Sequence, residues 1–339
     1  MAMRCLVTGA SGFVGANLVH ELVAQGHSVR ALLRPGADLR GLDGASFEGV
    51  PGDLNDRTEE LARAMEGCDW VFHVAASYAL WMPDYAPMYL ANVEGTRNIL
   101  RAAVAARVRR VVYTSTVGCI GLPRADARGN LVATDEDAPV SEGQMSNPYK
   151  HSKWLAEQVA REAAREGVPV VIVNPSAPVG PRDVKPTPTG RVIVDYLSGR
   201  MPACLDTGLN WVHVGDVARG HILAAERGRV GERYILGHAE GNWTMVQTFR
   251  ELARITGLPP VRRTVPWRVA WMAAHFSEAF ARLTGKPPRA PLAGVRMARY
   301  KMWFNPAKAI RELGMPQTPP PKALEDAVGW FRAQGMVSR

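Results

Sequence analysis

The sequence predicts an α/β fold: a Rossmann-type doubly wound parallel sheet with a smaller, mostly helical C-terminal lobe for substrate. Three observations predict it. Short apolar, β-branched runs alternate with helical patterns through the first half of the chain. The first run leads directly into a glycine-rich turn. Beyond Asn174 the texture changes, first to a stretch dense in Pro, Gly and Thr and later to helices.

Cys5–Thr8, Ser28–Leu33, Trp70–Ala75, Val111–Ser115 and Val170–Val173 read as strands. They are continuous and β-branched, as strands covered on both faces should be. Ala16–Gln25, Arg57–Glu66, Val93–Ala106 and Pro148–Glu166 read as the helices between them. Val93, Arg97, Leu100 and Val104 fall at helical spacing in the third of these, so its apolar face is partial. Pro175–Gly190 reads as one long loop. Val212–Glu226 reads as a return to the sheet followed by a helix, and Arg233–Leu236 as a further strand. From Thr244 onward helices dominate. The expected division is a Rossmann domain from 1–176 with about 211–237, and a substrate-binding lobe from 177–210 with 238–339. In such a sheet a ligand sits outside the carboxyl ends of the strands, where the strand order reverses.

Composition narrows the class. Of 339 residues, 47% are hydrophobic and 22% charged, the mix of an ordinary globular protein. Residues 1–15 leave no room for the apolar core of a signal peptide. No stretch reaches the roughly 18–20 apolar residues of a membrane span, so the cytoplasm is the expected location. Cys5, Cys68, Cys119 and Cys204 lack any C-x-x-C spacing; they read as reduced packing residues, and no metal site is expected. The net charge of +9 suits anionic partners: nucleic acid, acidic lipid headgroups or a phosphorylated cofactor. The plainer reading is a solvated basic surface, because the arginines read as scattered rather than massed. No nucleic-acid motif is present, so no nucleic-acid partner is expected. Peripheral membrane contact is left open.

Thr8-Gly9-Ala10-Ser11-Gly12-Phe13-Val14-Gly15 follows the first strand and opens the first helix. Glycine lets the chain turn at Gly9, approach a pyrophosphate at Gly12 and pack helix on strand at Gly15. Cofactor contacts are expected at Gly9, Ser11, Gly12, Phe13 and Val14. The end of the second strand normally carries an acid for the ribose hydroxyls of NAD; here it carries Arg34, suited to the 2′-phosphate of NADP. NADP(H) is therefore the preferred cofactor, with NAD(H) also open. The alternative for Arg34 is a solvated surface residue.

Tyr149-Lys150-His151-Ser152-Lys153 contains the chain's single Tyr-x-x-x-Lys. Its i,i+4 spacing puts both side chains on one helix face. A free phenol has a pKa near 10. A nearby ammonium and the positive nicotinamide ring would favour phenolate, so that Tyr149 could exchange a proton with a reacting oxygen. Thr114-Ser115-Thr116 ends a strand at the active edge. Thr116 is assigned a hydrogen bond to the reacting oxygen, against the alternative that it caps a turn.

With these elements placed, the sequence resembles the extended short-chain dehydrogenase/reductases over nearly its full length. The motifs are TGASGFVG (8–15), GDL (52–54), HVAA (73–76), NVEGT (92–96), YTST (113–116), YKHSK (149–153) and NPSAPVGP (174–181). The resemblance implies that Asp53 and Leu54 border the adenine and that Ala75 and Ala76 line the cofactor cleft. It implies that Asn92 supports the site, that Pro175 and Ser176 meet the nicotinamide, and that Thr114, Tyr149 and Lys153 also contact cofactor. It leaves a homodimer open, through helices 93–106 and 148–166. GPRDVKPTPTGR (180–191), DTGLNWVHVGDVARGH (206–221) and RLTGKPPR (282–289) look like the hopanoid-associated sugar epimerase or dihydroflavonol-4-reductase-like subfamily, which implies hopanoid or isoprenoid metabolism. Gly215 departs from it, standing where relatives carry an acid.

Three functions are weighed. The first is an NADP-dependent oxidoreductase interconverting a secondary alcohol and a ketone on a bulky, largely apolar small molecule such as a triterpenoid, steroid or flavonoid. Tyr78, Trp81 and Thr116 are its expected substrate contacts. The aromatic segment Val265–Leu283 either helps hold substrate or packs as core. The second is a nucleotide-sugar epimerase that retains its dinucleotide and grips a diphosphate with the basic loop Arg182–Arg191. Dehydration is disfavoured because Val117-Gly118-Cys119 offers no acid beside Thr116. The third is a non-catalytic NADP-binding regulator, which the retained Tyr149 and Lys153 argue against.

Overall fold

The apolar runs assemble into one parallel sheet. A computed structural model describes residues 2–284, 288 and 291–337. Within the 282–289 motif, residues 285–287 and 289 lie outside the described residues. The strands are β1 (Arg4–Thr8), β2 (Ser28–Leu33), β3 (Glu48–Pro51), β4 (Trp70–His73), β5 (Arg110–Thr114), β6 (Val170–Pro175) and β7 (Arg233–Leu236). Their order is β7-β6-β5-β4-β1-β2-β3, and every neighbouring pair is parallel. The order reverses between β1 and β4, which is where a doubly wound sheet opens its ligand crevice.

Alternation along each strand builds a core on both faces. Val7, Phe72, Val112 and Val173 meet Leu18 and Leu22 of helix Phe13–Ala24 and Val217 and Ile222 of helix Val214–Arg227. Leu6, Val71, Val111 and Ile172 point the other way, onto Leu61, Ile99, Ala156 and Ala160 of helices Thr58–Ala64, Gly95–Ala105 and Pro148–Arg165. Each such aliphatic side chain contributes roughly 1.5–3 kcal/mol by leaving water.

Several sequence expectations need correction. β3 was not foreseen: Glu48-Gly49-Val50-Pro51 has one aliphatic residue and is mostly exposed, as a short edge strand ending in proline can be. β4 ends at His73, two residues early. The helix expected from Val93 starts at Ala86 and passes through a π-helical turn at Leu90–Glu94. Pro175–Gly190 is not one loop. Pro175 ends β6, Ala177–Val179 is a strand and Pro188 opens a helix.

The strand holding Val212, Gly208–His213, does not return to the main sheet. It pairs with Ala177–Val179 and Lys301–Met302 in parallel and with Asn242–Thr244 antiparallel. Trp211 carries it into a separate cluster with Ile193, Phe249, Leu324 and Phe331. Helices Met245–Thr256, Trp267–Thr284, Leu292–Met297 and Pro320–Ala333 complete the C-terminal part. At Gly215 the missing acid is explained locally. The His213 ring accepts from the Gly215 N–H at 2.9 Å and caps the helix, and a Cβ on residue 215 would come within 2.8 Å of that ring nitrogen.

Candidate active site

The turn after β1 is held by backbone contact. Gly9 has φ +69°, and a Cβ there would lie 2.6 Å from the Ala75 nitrogen, so only glycine admits the chain leaving β4. A Cβ on Gly15 would lie 2.1 Å from the Gly9 oxygen. Gly12 caps the helix Phe13–Ala24 without a side-chain hydrogen bond. The helix N-terminus therefore keeps N–H groups free for an anion.

A cavity of about 460 Å³ opens on this turn, lined by Ser11, Gly12, Phe13, Arg34, Asp53 and Lys185, among others. The group fits a dinucleotide: an uncapped helix start, a close-approach glycine and cations converge on one hollow. Arg182 also lines it, its guanidinium donating to Asn17 Oδ1 at 3.3 Å. Thus Arg182 and Lys185, weighed from sequence as a grip for a sugar diphosphate, stand with Arg34 at the glycine turn. The acids nearby have other partners. Asp38 is held by Arg40 at 2.7 and 3.0 Å, which lowers its carboxyl to about 2. Asp183 accepts from Thr187, and burial pushes it up to about 6. Asp53 accepts from the Asn55 amide. Leu54 packs where Gly95 leaves room.

Tyr149 and Lys153 lie on the helix that Asn147 caps, its Oδ1 accepting from the Lys150 N–H at 2.9 Å. The Lys153 ammonium donates to the Thr114 carbonyl at 2.7 Å and stands 4.6 Å over the Tyr113 ring. Its burial lowers the ammonium to about 8. The Tyr149 phenol lies on the same helix. Burial raises its pKa, Tyr78 and Cys119 add to the rise, and a hydrogen bond with the Thr116 side chain opposes it. Thr116 also caps the turn Val117–Cys119 through the Gly118 N–H at 3.1 Å, the alternative weighed for it.

Tyr78 packs edge-on against Tyr149 with ring centroids 4.3 Å apart. Trp81 is half-buried three residues on. The other expected contacts serve by position. Asn92, buried on the π-helical turn, donates through Nδ2 to the Ser77 carbonyl and the Ser152 hydroxyl and accepts from the Ser77 N–H at Oδ1, and so holds the Tyr78 loop to the Tyr149 helix. The Thr114 hydroxyl turns to His221. Ser176 Oγ donates to Asn210 Oδ1 at 3.0 Å beside Pro175 at the end of β6. The Ala75 N–H donates to Thr8, and Ala76 is exposed beside it.

Sequence reasoning missed the buried polar supports. Glu157 accepts from Ser115 Oγ at 2.5 Å, Asn174 Nδ2 at 2.9 Å and Arg233 Nη1 at 3.2 Å. Its signal was a lone carboxylate on the apolar face of the Tyr149 helix, one turn beyond Lys153. His73 bridges the Thr8 and Thr96 hydroxyls. His221 bonds the Val217 carbonyl through Nδ1 and Thr114 through Nε2. Burial holds His73 down to about 3 and His221 to about 4, from 6.5. An unfolded histidine takes a proton near 6.5; these, when folded, do not. The unfolded state therefore binds more protons below 6.5, and stability present above that pH is lost as pH falls, at about 1.4 kcal/mol for each unit of separation. The melting temperature is expected to drop steeply from pH 6.5 toward 4, with a shallower slope in His221→Gln. A flat profile would contradict the neutral buried histidines.

Residues 5–237 match the model of the NAD dependent epimerase/dehydratase family. The chain is 44% identical to a "Putative dihydroflavonol 4-reductase" of Synechocystis, over 99% of this chain and 97% of that protein. It is 36% identical to "Sterol demethylase protein B" of Methylococcus capsulatus, over 99% and 100%. The crystal structure of gox2253 superposes with a TM-score of 0.86 at 44% identity, covering 99% of each chain. The glycine turn, the crevice at the strand reversal and these likenesses agree: the chain belongs to the NAD dependent epimerase/dehydratase family and is an NAD(P)-dependent enzyme of the extended short-chain dehydrogenase/reductase type.

Proposed function

We propose that this enzyme uses NADP(H) to interconvert a secondary alcohol and a ketone on a bulky, largely apolar substrate. The observation that carries the reading is the cavity at the glycine turn, where Arg34, Arg182 and Lys185 meet. Among the described residues Arg34 and Lys185 form no ion pair, and β2 ends without an acid. Such a cluster favours a phosphate on the ribose over a bare hydroxyl.

The bound dinucleotide supplies the hydride donor or acceptor. Tyr149 gives its phenolic proton to the carbonyl oxygen in reduction and takes it back in oxidation. Thr116, bonded to the phenol, orients that proton. Lys153, tied to the Thr114 carbonyl, holds the strand end against the helix and would offer its ammonium to the bound dinucleotide. Tyr78, edge-on to Tyr149, offers an aromatic wall next to the reacting oxygen, which suits a flat polycyclic body. The names of the two relatives, "Putative dihydroflavonol 4-reductase" and "Sterol demethylase protein B", support a polycyclic substrate.

Calorimetric titration tests the cofactor half. NADPH is expected to bind more tightly than NADH. Arg34→Ala is expected to lose roughly ten- to hundredfold for NADPH while leaving NADH nearly unchanged. Equal affinities in the wild type would refute the preference. Competition between a sterol ketone and a nucleotide sugar tests the substrate half, and tight binding of the sugar nucleotide would favour an epimerase instead.

A further inference from the structure

Helix Trp267–Thr284 is built inside out. Ala270, Ala274, Ser277 and Ala281 face the protein. Val269, Met272, Phe276, Phe280 and Leu283 recur every three or four residues on the opposite face and are 49%, 50%, 77%, 65% and 86% exposed. A helix covered only by its own protein turns its bulky apolar stripe inward. This one shows it to the outside, so Phe276 and Phe280 are not core.

Charge is concentrated around it. Residues 259–300 hold eight arginines and lysines against one acid, seven of the chain's nine net positive charges. The arginines are therefore massed here, contrary to the scattered reading. Arg262, Arg263, Arg268, Arg296 and Arg299 are exposed, and none is ion-paired among the described residues. Glu278, the single acid, is turned inward and accepts from the Leu292 N–H at 2.8 Å.

We propose that this helix seats the enzyme on an anionic lipid surface. It lies in the headgroup plane, with Phe276, Phe280 and Leu283 at the acyl boundary and the surrounding arginines on lipid phosphates. No helix among the described residues is long and apolar enough to cross a membrane, so the helix lies on the surface. A second copy of the chain is a poor occupant, because a twofold contact would set the same positive charge against itself. The seat is close to the active site. Trp267 Nε1 donates to the Val295 carbonyl at 2.9 Å, and Gly294 meets Leu80, which lies between Tyr78 and Trp81.

The proposal stands independently of the substrate assignment, and vesicle flotation tests it. Wild-type protein is expected to float with vesicles of phosphatidylcholine and phosphatidylglycerol in equal parts, and to remain behind with phosphatidylcholine alone. Phe276→Ser with Phe280→Ser should weaken binding on the order of tenfold per residue, with an unchanged melting curve because both are exposed. Arg262→Gln and Arg263→Gln should each cost about fivefold, and added salt should act in the same direction. Failure of the wild type to float, or undiminished flotation of the phenylalanine pair, would overturn the proposal. So would light scattering in which that pair converts a dimer to a monomer, since a second copy would then cover the face.

Discussion

Tyr149→Phe is expected to lower turnover by about 10²- to 10⁴-fold while leaving NADPH affinity close to wild type. Phenylalanine keeps the ring edge against Tyr78 and the burial on the helix face; it removes only the hydroxyl proposed to carry the proton. The proposed cofactor cradle is elsewhere, in the glycine turn and the Arg34 cavity. General acid–base catalysis by one positioned group is worth that range of rate. Stopped-flow turnover with any ketone the wild type reduces, beside a binding isotherm for NADPH, separates the two effects. Retention of a tenth or so of wild-type turnover would transfer the acid role to another residue. Thr116→Val makes a smaller, complementary change: the phenol loses its hydrogen bond and the turn loses its cap, so turnover falls while the proton donor remains.

The second large effect concerns stability. Glu157→Leu is expected to destabilise the fold by roughly 3–5 kcal/mol. Glu157 is 1% exposed and Arg233 12%. Removing the carboxylate leaves a buried guanidinium without its counter-charge, and leaves the Ser115 hydroxyl and the Asn174 amide without their shared acceptor. A domain of ordinary stability holds only about 5–15 kcal/mol in all. Glu157→Gln, which keeps an acceptor oxygen, is the milder companion that will fold. Urea unfolding of the single variants and of Glu157→Leu with Arg233→Met closes the cycle. The double variant should recover much of the loss, because the unpaired charge is gone. If Glu157→Leu loses no more than a surface substitution would, the pair is not the support described here. Because Ser115 lies between Thr114 and Thr116, the milder variant should also disturb the anchor of Lys153.

The glycine turn, the Tyr-x-x-x-Lys helix and six of the seven main-sheet strands were legible in order because their signals are local. A β-branched run buried on both faces, a Gly9 that must turn, and an i,i+4 pair on one helix face each need only neighbours in sequence. β3 escaped because an edge strand needs no continuous apolar run. Gly208–His213 was put in the wrong sheet because strand character is local and pairing partners are not.

The roles of side chains divided in the same way. Residue type alone marked Arg34 as a cation at a strand end that lacks an acid. That Arg182 and Lys185 share its cavity depends on a loop almost 150 positions further along the chain folding back onto the first helix. Spacing placed Tyr149 and Lys153 together, but the phenol's raised pKa follows from its burial, with Tyr78 and Cys119 adding to it, and the lysine's bond to Thr114 from the packing of that helix on β5. Composition recorded nine net positive charges and an aromatic helix. Only the packing decided that alanines take the inner face and phenylalanines the outer one, because a helix's periodicity fixes which residues share a face and not which face meets the protein.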